Sequence, residues 1–166
     1  SEKSIREAAE NDFRLLLDQV SAPHLISERV GWYRSSVEAK GKTFDPTSVA
    51  VPRAFHLAYT PEEREAAHKA RASFILGTQL SSSLSTARAT SAQEGPARGA
   101  ALPRTYDSVR AGTEEHALIG PPDEIIRRLQ DLRSKGVEYV LMMDVNWSLP
   151  ALRTFAREIM PEFKDP

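Results

Sequence analysis

The amino-acid sequence predicts an α/β fold in which parallel strands are covered by outer helices. Two observations predict it. Three short apolar runs bounded by polar residues, at 13–20, 49–59 and 139–145, have the unbroken character of buried parallel strands. Between them lie helical stripes of a dozen or more residues, which imply parallel pairing through right-handed crossovers. At 166 residues the chain is one domain's worth, enough to bury a sizeable core. Three such strands leave both sheet edges open, one of them a long apolar strand, so the pattern is that of part of something closed.

The first segment, SEKSIREAAE, suits a short helix over 2–11, with Ser1 as cap and Ile5, Ala8 and Ala9 on one face. There is no initiator methionine, and the abrupt helical start has the look of a segment cut from a longer run of structure. FRLLLDQV (13–20) follows as the first strand. Ile26, Val30, Tyr33 and Val37 recur at intervals of four, three and four, the stripe of an amphipathic helix, which Gly41 ends. After the turn chemistry of FDPTS comes the second strand, VAVPRAFHLAY (49–59), in which Pro52 is unwelcome because proline cannot donate to a ladder.

TPEEREAAHKARASF opens a helix with Thr60 as cap, Pro61 in the first helical position and Glu63 completing a capping box. From Gly77 to Gly112, 23 of 36 residues are Ser, Thr, Ala, Gly or Pro and no apolar period is sustained. That predicts a mobile loop insertion over 77–112, with one short helical piece, placed as a lid. Gly120 and the following prolines make a sharp turn. Ile125, Ile126, Leu129 and Leu132 then give a helical stripe that Gly136 ends. YVLMMDV is the third strand, and Leu149, Leu152, Phe155, Ala156 and Ile159 line a final helix stopping at Pro161.

Composition narrows the function classes. Lysine and arginine number 22 against 23 acidic residues, so no electrostatic footprint for nucleic acid or an anionic membrane exists. With no cysteine, disulfides, thiolate metal sites and cysteine nucleophiles are excluded. The apolar runs fall far short of a membrane span and no secretory signal is visible, so a soluble cytoplasmic protein is expected. The four histidines (His24, His56, His68 and His116) lack ligand spacing, so no metal site is expected. Glycine-rich phosphate loops and a nucleophile elbow are absent from the sequence.

Three segments together resemble the luciferase-like flavin monooxygenases. IGPPDEIIRRLQDLRSKGVEYVLMM is similar to that family's last strand-forming unit, with its Gly-x-Pro turn, helix, Gly-Val and barrel strand. LRTFAREIMPEF is similar to its closing helix and Met-Pro-x-Phe ending, and SEKSIREAAENDFRLLLDQ to its Ser-x-x-Ser-Ile-Arg helix followed by a Leu-rich strand. The resemblance implies a (β/α)8 barrel of roughly twice this length, of which the chain would be a single-domain C-terminal half. It implies FMN as cofactor, or a deazaflavin as in close relatives, with O2 and a small organic substrate as partners.

By position, it also implies that Ser1 and the backbone of Glu2 and Lys3 contact the flavin phosphate; a helix N-terminus suits that role through its free N–H groups and dipole. An ordinary capped surface helix explains the same residues.

Asp18 and Gln19 end the first strand, and Asp144 and Asn146 stand at the end of the last, where barrel strands point at the active site; turn and capping roles fit them better. Arg53, inside an apolar strand, needs a partner, and an ion pair with a neighbouring carboxylate is expected ahead of a cofactor phosphate. His56 is expected as a core histidine. The first expectation for function is a flavin-dependent monooxygenase of which this chain, inactive alone, is the C-terminal part, working as a homo-oligomer or with the missing N-terminal half. A deazaflavin oxidoreductase is the alternative within the fold. A non-catalytic half-barrel, associating through its open edges, is the alternative of another class.

Overall fold

The computed structural model describes residues 1–90, 105–144 and 148–164, with side chains described for 1–78, 105–143 and 148–164. Helix α1 (Glu2–Glu10) starts at Ser1, whose hydroxyl accepts from the Ser4 amide at 3.3 Å. Ile5 and Ala9, one turn apart, are its buried residues. The helix closes when the Phe13 amide bonds the Ala8 carbonyl at 2.9 Å and Asp12 takes a φ of 60°. Asp12 then gathers Lys40 and Lys42 at 2.6 and 2.7 Å.

Strand β1 is only Leu15–Leu16, far shorter than the run expected over 13–20. The closing turn of α1 limits it on one side. On the other, the Asp18 carboxylate accepts from the Val20 and Ser21 amides at 2.9 and 2.7 Å and bends the chain away.

Helix α2 (Pro23–Ala39) buries Ile26, Val30 and Tyr33 as the stripe predicts, and Gly41 follows it at φ +73°. Lys40, at its end, donates to the carbonyls of Ala9 and Glu10, while Arg6 reaches Ser35 and Ser36. The two helices therefore run in the same direction, with their N-termini at one end of the sheet.

Strand β2 (Val49–Leu57) is the centre of a four-stranded parallel sheet. Ala50 pairs with both Leu16 of β1 and Tyr139 of β4 (Tyr139–Asp144); Phe55 pairs with both Leu118 of β3 (Leu118–Gly120) and Asp144 of β4. Since a strand has two edges, β4 runs along one, and β1 and β3 share the other, one at each end. The three-residue β3 was not legible as a strand; the Gly-Pro turn masks it.

This arrangement explains how Pro52 and Arg53 sit in a central strand. Backbone groups of alternate residues point to the same edge, and Ala50 O accepts from Leu17 N while Ala58 N donates to Gly120 O. Pro52 lies between them, on the edge where β1 has ended and β3 has not begun, so its missing N–H costs no ladder bond. The Arg53 guanidinium fills that gap. It donates to the carbonyls of Pro52 and Ser21 at 3.0 Å each and of Asp18 at 3.4 Å. The expected ion pair is corrected: a cage of carbonyls holds Arg53, and the Asp18 carboxylate goes instead to Ser21 and Arg29. Burial draws the Arg53 pKa down to about 10, against the pull of Asp18.

The two sheet faces are covered differently. Val49 and Val51 pack with Ile5, Ile26, Val30, Leu132 and Val137, and Phe55 with Ile125, Leu129 and Ile159, so the odd-numbered residues of β2 face α1, α2 and α5 (Pro122–Ser134). Each such side chain contributes roughly 1.5–3 kcal/mol by burial. On the opposite face Ala54 and Ala58 meet Ala67 of helix α3 (Pro61–Thr90) and Ile119 of β3. The N-terminal end of that face is bare, with Leu16 64% and Tyr139 42% exposed.

Two expectations need correction here. Helix α3 does not stop near Gly77 but continues to Thr90, and Tyr106–His116 forms helix α4, so the expected loop at 77–112 is helical at both ends. Alanine, leucine, glutamine and arginine keep helix propensity even where no apolar stripe exists; residues 91–104 lie outside the described residues. The final helix is α only over Leu149–Thr154 (α6), then widens into a π turn (Phe155–Ile159) and tightens into a 3₁₀ turn (Met160–Phe163) at Pro161. That widening sets Phe155 edge-on to Phe55, ring centres 5.4 Å apart, while Leu149 and Leu152 stay exposed. Among the described residues, no helix is long and apolar enough to cross a membrane.

Replacing Arg53 with lysine keeps the charge but puts a compact ammonium in place of the wide planar fork. Arg53→Lys is expected to cost about 2–4 kcal/mol in urea unfolding, because buried acceptors lose their donors. A loss below about 1 kcal/mol would show that the gap does not depend on the guanidinium fork.

Candidate functional site

Helices α3 and α4 lie over the C-terminal end of the sheet. Ala72 and Ile75 of α3 pack with Val109 of α4, and small alanines at 54, 58, 67 and 117 let helix and strands approach closely. Charged ties join this pair to α5. Glu124, in the first turn of α5, accepts from both Arg64 and Arg128, the latter at 2.8 Å. Hydrogen bonding from Arg64 is the main cause that holds the Glu124 carboxyl at about 2. Arg128 also donates to the carbonyls of Glu114, Glu115 and Ala117, closing the C-terminal end of α4. Arg110 of α4 reaches Glu65 of α3 at 2.5 Å. Gly120 is required beside this network: with φ at +156°, a Cβ there would lie 2.7 Å from Glu124 Oε2.

Between these helices and the strand ends is a cavity of about 320 Å³, at the small end of ligand pockets. Gln19 and Val20 from the loop after β1, Ala54 from β2, Arg71 and Ile75 from α3, and Val109, Thr113 and His116 from α4 line it. Arg71 is only 4% exposed and donates to the Gln19 side-chain oxygen; its guanidinium also lies 5.4 Å from the Phe74 ring centre. No carboxylate among the described residues pairs with it, and burial lowers its pKa.

His116 is likewise lowered, first by burial, and its buried Nδ1 has no partner. His68, fully buried on α3, has neither ring nitrogen bonded, and burial with nearby Arg110 draws it down to about 4. Both imidazoles are neutral at pH 7.

The residues singled out in the sequence are not brought together here. Ser1, Glu2 and Lys3 are exposed at the start of α1 and line no part of the cavity, though α1 shares the direction of α2, so Ser1 stands at the same end of the sheet. Asp18 holds the turn after β1: burial opposes its ionisation, but hydrogen bonds led by that from Ser21 outweigh it and lower the pKa to about 2. Gln19 does reach the cavity. His56 is half-buried on β2, and His24 is exposed. The side chain of Asp144, and Asn146 altogether, lie outside the described residues.

Sequence reasoning missed Arg71. The available signal was His68 and Arg71 falling between Ala67 and Ala72 on one helical face, polar groups set inside an alanine-lined contact.

Residues 1–139 match the sequence model of the luciferase-like monooxygenases. No curated protein matches the chain. Solved structures similar to it include monooxygenase RslO1 from Streptomyces bottropensis, with 20% identity and a TM-score of 0.63 over 99% of this chain and 46% of that one. The oxygenating constituent of 3,6-diketocamphane monooxygenase from Pseudomonas putida, solved with FMN, gives 16% and 0.63 over 98% and 46%. An F420-dependent secondary alcohol dehydrogenase, solved with an F420–acetone adduct, gives 13% and 0.65 over 99% and 47%. At such identities these establish the fold: the parallel strands and helices are part of a (β/α)8 barrel, and the chain spans about half the length of each of these structures.

The buried histidine has a measurable consequence. Burial holds the His68 imidazole at about 4 in the folded chain, below the ordinary histidine value of 6.5, so the unfolded chain takes the proton first. Stability is present above pH 6.5 and falls as the pH drops towards 4. Between pH 7.5 and 5.0 the wild-type chain is expected to lose about 2 kcal/mol more than His68→Gln in urea unfolding. Equal losses would mean that His68 accepts its proton in the folded state.

Proposed function

The chain belongs to the luciferase-like monooxygenase family, and on that footing we propose that it is the C-terminal part of a flavin-dependent monooxygenase, which oxygenates a small organic substrate with O2 and reduced FMN. One observation carries the reading: the Ser1-capped start of α1 and the cavity lined by Gln19 and Arg71 stand at the same end of the parallel sheet, the end where barrels build their active sites.

The residues at the α1 start suit a phosphate. The amides of Glu2 and Lys3 belong to the helix's first turn and have no acceptor within it. The exposed Ser1 and Ser4 hydroxyls bond each other at 3.0 Å, which leaves one O–H of the pair free to donate. The Glu2 carboxylate, which would repel an anion, is drawn along the helix to Arg6 at 2.8 Å, and Lys3 adds a positive charge nearby. In this reading Ser1, Glu2 and Lys3 hold the flavin phosphate. When bound, reduced flavin supplies the electrons that activate O2 for oxygen transfer. The chain's own part is to bind and to exclude water: Ala54, Ile75, Val109 and Ala117 give the cavity apolar walls, and Arg71 and Gln19 offer polar anchors.

The neighbour that binds F420 favours a second reading, hydride transfer to or from a deazaflavin on the same scaffold. The bare N-terminal end of the inner sheet face favours a third, an association module without catalysis, whether with a second copy or with an N-terminal half. The enzyme reading takes the protein as cytoplasmic, without nucleic-acid or membrane partners, in keeping with a net charge of −1.

Fluorescence titration with FMN and with F420 separates these. FMN is expected to bind, and the double change Ser1→Ala, Ser4→Ala to weaken it roughly tenfold. Binding of F420 alone would move the assignment to the deazaflavin class. Binding of neither, with association that grows with concentration, would support the scaffold.

A further inference from the structure

We propose that the cavity between α3, α4 and the strand ends is the site of an organic anion, a small carboxylate-bearing molecule with an apolar body, anchored by Arg71. The assignment rests on the enzyme reading above only in naming this molecule as substrate; the site itself is argued from the side chains. Arg71 brings a guanidinium into a place that is 4% exposed. Its described acceptor is a neutral amide oxygen, that of Gln19, and no carboxylate among the described residues balances its charge.

A buried cation without a counter-charge is expensive, and proteins keep one where a ligand brings the missing charge. The contrast within this chain is sharp. Arg64, Arg110 and Arg128, on the same helices, all pair with carboxylates, and Arg53 is caged by three carbonyls. Among the described residues, Arg71 alone of these five has only an amide oxygen and the Phe74 ring as partners, and it is the one that lines the cavity.

The rest of the lining sets the ligand's character. Val20, Ala54, Ile75, Val109 and Ala117 are apolar, which suits a hydrocarbon or aromatic body. Thr113 spends its hydroxyl proton on the Val109 carbonyl at 2.7 Å, so its oxygen has only lone pairs left to offer. His116 lines the cavity with an unpartnered buried Nδ1, a neutral group able to bond a carboxylate if it carries the proton there. The guanidinium of Arg71, in the same lining, matches a carboxylate with two bonds.

The test uses the 166-residue chain without flavin, with benzoate, benzyl alcohol and inorganic phosphate as probes in calorimetric titration and thermal unfolding. Benzoate is expected to bind and to raise the unfolding temperature, with benzyl alcohol at least about tenfold weaker, since it lacks the charge. Arg71→Met removes the uncompensated charge, so it is expected to match or exceed the wild type in unfolding temperature while losing the benzoate effect; Arg71→Lys keeps a weakened effect.

If Arg71→Met is instead destabilised while still binding benzoate like the wild type, Arg71 is structural and the proposal fails. If benzoate and benzyl alcohol bind equally, it fails as well. If inorganic phosphate or FMN displaces benzoate, the cavity belongs to the cofactor's phosphate; the anion-substrate proposal is then overturned while the flavin reading stands. Benzoate binding with no flavin binding would leave this proposal intact and remove the flavin reading.

Discussion

On one edge of the central strand, between the end of β1 and the beginning of β3, no strand is available to pair, and the Arg53 guanidinium occupies that place. A gap in a buried parallel sheet exposes carbonyl groups that water cannot reach, and each one left bare costs about 1–3 kcal/mol. A planar fork meets three of them at once from two nitrogens set apart in a fixed plane, a spread that a compact ammonium does not have. Two of those carbonyls belong to Asp18 and Ser21, in the loop that leads from β1 to α2. Arg53 thus does more than close the sheet. It fixes the loop that carries Gln19, and Gln19 is the residue through which the sheet meets Arg71. The same gap admits Pro52 into a central strand.

The α3–α4 pair is held by a different balance. Its apolar contact with the sheet is made of alanines, which allow close approach but bury little area each. Charged groups supply much of the specificity: Glu124 joins Arg64 of α3 to Arg128 of α5, and Arg128 in turn closes α4. Exposed ion pairs are worth little, but this network is partly buried and places its acid at a helix N-terminus, where the dipole favours it. Gly120 belongs to the same device, because a side chain there would take the space that Glu124 occupies.

Elements with a strong apolar period were legible from the sequence: α1, α2, the start of α3, α5 and the long strands β2 and β4 all follow their stripes or runs. Failures came where the decisive contact is distant along the chain. The length of β1 is set by the turns on both sides of it, and β3 exists because Phe55–Leu57 offers it an edge sixty residues earlier. The continuation of α3 past Gly77 shows that a missing apolar stripe speaks of burial and not of helicity. Within the site, Asp18 and Gln19 were noticed together, but only the fold separates their roles, one turning inward to its own loop and the other to the cavity. Arg71 was invisible because a charged residue in a helix ordinarily faces water.

Unsatisfied polar groups sharpen the functional argument. Among the described residues, the buried side-chain nitrogens lacking a partner belong to Arg53, His68 and His116. Arg71 adds a buried charge with no counter-charge among the described residues. His68 and Arg71 stand on α3 and His116 on α4, while Arg53 stands apart, at its gap in the middle of β2. A core selected for stability alone would replace such groups with apolar ones of similar volume, often at a gain. Natural proteins concentrate departures from that rule where function requires them. The outer layer of this half-barrel is therefore the part built to hold it together, and the seam beneath α3 and α4 is the part kept polar at a cost in stability.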